Sequence, residues 1–190
     1  MSDAPKTAPG RLPSLSTGQM SEAQRRVYEE IAQGPRGGFR GPFPVWLRSP
    51  ELASRMQRVG EHLRFRGVLP GRLRELAILV TARAWTAQYE WHAHSLLAGK
   101  AGLAPEIIAA IAERRRPPSL TAEEAAVHDF CAELHERRTV GEAAFRAALD
   151  RLGEEGLVEL TILCGYYAAV AMTLNAFGVG LPEGAKPPLK

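Results

Sequence analysis

The chain has 190 residues, 45% of them hydrophobic, enough to bury one respectable core and favouring one domain over two. Its 24 Lys and Arg against 21 Asp and Glu leave a formal charge of +3 spread along the sequence, too weak a basic signal for nucleic-acid binding. Two cysteines outside any C-x-x-C or metal-ligand spacing, no signal-peptide core and no uninterrupted apolar stretch of membrane-spanning length predict a reduced, cytoplasmic protein without a membrane partner.

Residues 1–18 carry Pro, Ser, Thr and Gly without periodicity and read as a disordered N-terminal segment. Ser21-Glu-Ala-Gln24 forms a capping box for a helix expected to reach about Ala32. From Gly34 to Pro50, four Gly and four Pro exclude a regular element, yet Phe39, Phe43, Val45 and Trp46 must pack against something. That run either lies on its own core or walls a pocket or subunit boundary. Glu51 to Arg66 reads as a helix with Leu52, Met56, Val59 and Leu63 on its apolar stripe, ended by Gly67 and Pro70.

Arg72 to Lys100 holds no Pro and no Gly before Gly99. Leu73, Leu76, Ala77, Leu79 and Val80 make its apolar face broad enough for a deeply buried helix. One long rod and two helices broken near Thr86 are both compatible with the pattern. Later helices are expected at about Ala104–Arg114, Ala122–Arg137 behind the Thr121-x-x-Glu124 box, Gly141–Leu152 and Glu155–Phe177, with no competing strand alternation. Arg114-Arg115-Arg116 before Pro117 reads as a solvated loop, and Val179 to Lys190 as an extended tail. The expected organisation is one all-α domain over 19–182 with a C-terminal tail over 183–190. Leu73-Arg-Glu75-Leu76-Ala-Ile78-Leu79 recurs as Leu157-Val-Glu159-Leu160-Thr-Ile162-Leu163, five of seven positions being identical. Related helical units and a chance match of two buried helix starts both account for it.

Glu90 and His94 stand four apart, so a helix puts them on one face, where they are placed to exchange a proton through a substrate or water. An exposed stabilising pair has the same spacing, but Tyr89, Trp91, Leu97 and Ala98 predict a buried helix, and buried polar groups need partners or a cavity. Glu75 shares its stripe with Leu79 and Ala82 and faces the same difficulty. His92 points away from His94, and no H-E-x-x-H, phosphate-binding glycine loop or nucleophile elbow occurs, so no metal site is expected. Cys131 and Cys164 lie in apolar stretches and read as buried free thiols, while His62, His128 and His135 read as surface or helix-end residues.

Arg72-x-x-Glu75-Leu-Ala-Ile-Leu, then Gln88-Tyr89-Glu90-Trp91-x-x-His94 and Ala101-Gly102-Leu103, resembles the carboxymuconolactone decarboxylase-like family. The likeness is clearest over residues 70–178, and Leu47-Arg-Ser-Pro50 and Asn175-Ala-Phe-Gly-Val-Gly-Leu-Pro182 extend it. The resemblance implies an all-α antiparallel helical bundle of the alkylhydroperoxidase-like type, assembled as a trimer or hexamer. In the peroxidase branch the motif is C-x-H-C-x-x-x-H; its cysteines fall on Ala87 and Glu90, its first histidine on Tyr89, its last on His94, and its relay Glu on Glu75. Dithiol peroxide reduction through that pair is therefore excluded. The decarboxylase branch is similar in its Glu-Trp/Phe-x-x-His form, which implies a cofactor-independent lyase of aromatic-compound catabolism acting on a small carboxylated or lactone-type substrate. On this reading His94, Glu90 and Glu75 are catalytic, and Tyr89, Trp91, Trp46, Arg48, Arg83 and Asn175 contact substrate, with Arg72 a further candidate cation. A non-catalytic ligand-binding oligomer of the same fold is the alternative, and a thiol peroxidase through Cys131 or Cys164 a disfavoured third.

Overall fold

Side-chain caps set several helix starts in the computed structural model, which describes residues 10–13, 15–36 and 38–190. Ser21 Oγ accepts from Gln24 N, and Gln24 Oε1 accepts from Ser21 N, opening α1 (Glu22–Gln33). The Gly/Pro-rich run holds one helical turn, α2 (Phe43–Trp46), whose Phe43 and Trp46 are buried together with Leu47. Pro50 starts α3 (Pro50–Phe65), and α4 (Gly71–Ala84), α5 (Gln88–Lys100) and α6 (Pro105–Ala112) follow. The Thr121–Glu124 box caps α7 (Ala122–Arg137), and α8 covers Glu142–Ala176. The fold is all-α, with no β-strand among the described residues.

The stretch from residue 72 to 100 is two helices. Trp85 to Ala87 separates them, with Thr86 at φ 48°, a left-handed backbone that a β-branched residue rarely adopts. Its Oγ1 accepts from Arg83 Nη1 at 3.1 Å and Arg114 Nη2 at 3.0 Å, contacts that offset the strain. α8 likewise consists of two rods, because Gly153 takes φ 67°, ψ 177°, a combination essentially reserved for glycine.

α4 is the hub. It packs against α5, α6, α7 and α8, and every residue from Glu75 to Arg83 is buried, the pattern of a helix enclosed on all sides. Leu76, Ile78 and Leu79 are fully buried, each burial being worth about 1.5–3 kcal/mol. By length and composition α8 could cross a bilayer, but here it is a core helix that buries Leu157, Leu160, Leu163 and Leu174 against its neighbours. The recurring Leu-x-Glu-Leu-x-Ile-Leu sequences thus fall on two core helices.

α3 packs with only part of the face its sequence suggests, Leu63 lying in the core and Met56 packing against it. Leu52 and Val59 are exposed, and Ala53, Gln57, Gly60 and Leu63 are buried. Gly60 explains the rotation: a Cβ there would collide with the Tyr166 hydroxyl and the Arg36 guanidinium, so only glycine lets α3 approach them closely.

The described residues of the 1–18 segment are held in place rather than disordered as expected, and the C-terminal tail, extended as expected, is anchored. Arg11 N donates to Phe177 O at 2.8 Å and Arg11 Nη1 to Ala176 O at 3.0 Å, tying residues 10–13 to the C-terminus of α8, and Thr17–Gln19 forms a 3₁₀ turn. The expectation for residues 1–9 and 14 lies outside the described residues. At the other end Leu189 is buried, exchanges two backbone hydrogen bonds with the Gln88 amide, and is followed by Lys190, whose carbonyl accepts from Arg83 Nη2 at 2.8 Å. The tail over 183–190 is thereby docked on the α4–α5 junction.

Candidate active site

α4 and α5 are joined by three residues and run antiparallel, which brings Glu75 beside His94. His94 Nδ1 lies 2.7 Å from Glu75 Oε2, and both side chains are buried. The carboxylate can only accept, so Nδ1 carries a hydrogen and Nε2 is the nitrogen left for chemistry. Tyr167 of α8 packs its ring edge-on against the imidazole at 5.0 Å and itself leans on Tyr166, fixing the imidazole from a second side. Burial pushes the Tyr167 hydroxyl far above the ordinary phenol range, so it stays a neutral donor.

Glu90, one turn before His94, does not bond to it. It is 2% exposed, and neither carboxyl oxygen has a partner among the described residues. Two effects oppose each other here. The start of α5 favours an anion by about 0.3–1 kcal/mol, whereas burying an uncompensated charge costs several kcal/mol. Desolvation wins and holds the Glu90 carboxyl well above the usual range, favouring the neutral acid. The hydrogen-bonded pair is therefore Glu75–His94 rather than Glu90–His94, and Glu90 stands apart as a protonated group without a partner.

Glu90, His94 and Tyr89 line one partly open cavity of about 100 Å³, together with Tyr166 and Tyr167 of α8 and residues of the Gly/Pro-rich run. Burial raises the Tyr89 hydroxyl, with Arg40 opposing. Three arginines also line the cavity: Arg36, Arg40 and Arg64. None of them forms an ion pair with a carboxylate among the described residues. Arg36 instead lies over the Phe43 ring at 5.1 Å and has a buried, unpartnered Nε. Cations without counterions around a neutral acid make a site suited to an anion.

The other expected contact residues stand elsewhere. Trp46 is a second layer, donating from its indole to Thr173 Oγ1 at 2.9 Å and packing on Tyr166. Trp91 points into the core, as its one-residue offset from Glu90 requires. Arg48 is exposed and donates to Pro13 O; Arg72 pairs with Glu124 at 3.4 Å; Arg83 is engaged by Thr86 and Lys190. Asn175 donates to Trp85 O at 2.8 Å, closing the C-terminus of α4. The cavity's own arginines were missed by sequence. The only signal for two of them was their place in the irregular run suspected of walling a pocket, and Arg64 carries no local signature.

The all-α bundle that brings Glu75 to His94 has the alkylhydroperoxidase-like helical fold. Residues 50–133 match the carboxymuconolactone decarboxylase family. A peroxidase-related protein from Ralstonia eutropha with an alkylhydroperoxidase AhpD core is similar in structure, with a TM-score of 0.75 at 17% identity over 92% of this chain and 93% of that one. So is a protein of unknown function from Agrobacterium tumefaciens, linked by name to AhpD antioxidant defence, with a TM-score of 0.61 at 16% identity over 75% of this chain and 99% of that one. These likenesses establish the fold. No curated protein matches the sequence significantly.

Proposed function

We propose that the protein is a cofactor-independent decarboxylase, or a related proton-transfer enzyme, acting on a small carboxylated or lactone-type molecule. The observation that carries the reading is the unpartnered, neutral-favoured Glu90 beside a Glu75-held His94 in a small cavity lined by three unpaired arginines. In this scheme Arg36, Arg40 and Arg64 bind the substrate's carboxylate. The carbon–carboxylate bond breaks, its electron pair moves into the conjugated carbonyl, and carbon dioxide leaves. Glu90 donates a hydrogen bond to the enolate oxygen as charge develops there, the use for which a carboxylic acid must be kept neutral. His94, which takes a proton from solvent at Nε2 and is then stabilised as imidazolium by Glu75, delivers that proton to carbon and returns to the neutral imidazole. As part of the same proposal the protein works in the cytoplasm as a homo-oligomer, a trimer or hexamer; exposed Val158, Ile162 and Met172 on α8 support an interface there.

The test is a screen of small carboxylated lactones for carbon dioxide release. With an active compound in hand, His94→Ala should lose about 10²- to 10⁴-fold in kcat while its circular dichroism stays that of the parent. Turnover that survives in the folded variant would overturn the reading.

A further inference from the structure

The two cysteines, 33 positions apart in sequence, meet inside the fold. Cys131 Sγ on α7 lies 3.5 Å from Cys164 Sγ on α8, both buried and both free thiols. They are not adrift in hydrocarbon. His135, one turn beyond Cys131, sets its Nε2 2.9 Å from Thr81 Oγ1 of α4, and both groups adjoin Cys164. His135 also lines a groove of about 1100 Å³ between α4, α7 and the first rod of α8, so the imidazole stands between solvent and the sulfurs. This cluster is separate from the Glu75–His94–Glu90 cavity and is no part of the chemistry assigned to it.

We propose that Cys131 and Cys164 are a redox-active dithiol, which a small hydroperoxide entering past His135 closes into a disulfide joining α7 to α8. The sulfurs need to approach by only about 1.5 Å to reach the bonded distance of about 2.05 Å. Cys164 is the attacking sulfur. The hydrogen bond from Cys131, aided by His135 and Thr81 and opposed by burial, holds the Cys164 thiol below its ordinary range, while the same partnership and burial push Cys131 up. The Cys164 thiolate attacks one peroxide oxygen: the S–O bond forms, the O–O bond breaks, and the departing alkoxide takes a proton to leave as an alcohol, or as water from hydrogen peroxide. The Cys131 sulfur then displaces hydroxide from the Cys164 sulfenic acid and gives up its proton, which leaves with that hydroxide as water. Two thiols lose two electrons and the peroxide gains them. Burial of both sulfurs restricts the oxidant to small molecules and makes bulky disulfides poor reagents.

The experiment uses the reduced full-length protein. It is treated with hydrogen peroxide, denatured and alkylated, and its peptides are mapped by mass. The expected result is that both thiols disappear together, with a Cys131–Cys164 link within one chain that dithiothreitol reverses. Full alkylation of both cysteines after treatment, sulfinic acids without a link, or a link only between chains would each overturn the proposal. In Cys131→Ser, Cys164 should accumulate as a sulfenic acid that a cyclic dione traps. In Cys164→Ser, Cys131 should oxidise about tenfold more slowly than the wild-type pair. Equal rates would overturn the assignment of Cys164 as the attacking sulfur, and the wild-type mapping decides the main point even if a variant fails to fold.

Discussion

At the scale of single residues, two glutamates in matching sequence positions have different duties. Glu75 accepts from His94 in the core and orients the imidazole. Glu159 accepts from Val68 N at 2.8 Å and pairs with the exposed His62 at 3.0 Å, which ties down the α3–α4 loop at Gly67. The partners, and not the heptapeptide, decide the role. Glu75→Gln keeps a hydrogen-bond acceptor but removes the charge that stabilises a protonated His94, so kcat/KM should fall about 10²-fold or more. Glu159→Gln keeps its bond to Val68 N–H and loses only a solvent-screened ion pair, worth about 0–1 kcal/mol, so activity should be nearly unchanged. Kinetics of the two variants on one substrate check this; equal losses would remove the special role given to Glu75.

At the scale of elements, Gly153 shows how one glycine divides a helix. A Cβ there would meet nothing, so Gly153→Ala should cost about 1–3 kcal/mol through backbone strain alone. A lowered denaturant midpoint with unchanged kcat/KM is the expected outcome, because the kink lies far along α8 from Tyr166 and Tyr167. This break was legible in sequence, since two separate helices were expected on either side of it. So were the buried α4 and the capping boxes of α1 and α7, because each rests on spacing within one helix; the meeting of Glu75 with His94 was not, because it depends on how α4 packs on α5. What stayed hidden depends on close approach between elements. Gly60 turns α3 by admitting Tyr166, Arg64 reaches the cavity from that turned face, and Cys131 meets Cys164 only through the packing of α7 on α8. Hydrophobic periodicity favoured Leu52 and Val59, and no local pattern reports that a small residue on another face wins the contact.

At the scale of the whole molecule, the site weakens the fold that holds it. Glu90 is favoured as the neutral acid when folded, and its titration in the unfolded chain lies in the ordinary range, so its folded pKa is raised. Below the unfolded pKa the group is protonated in both states and costs nothing. As pH rises past that point the unfolded chain releases the proton while the folded chain retains it, and stability falls until pH passes the folded value. Each pH unit between the two titrations is worth about 1.4 kcal/mol. Glu90→Gln replaces the acid with a neutral group of the same shape and removes this dependence. The variant should therefore match the wild type in urea denaturation near pH 4, exceed it at pH 8, and yet turn over substrate more slowly, having lost the acidic hydrogen-bond donor. Wild type and variant with parallel stability curves across that range would mean that Glu90 is charged in the folded protein and paired with something in the cavity, the guanidinium groups that line it being those of Arg36, Arg40 and Arg64.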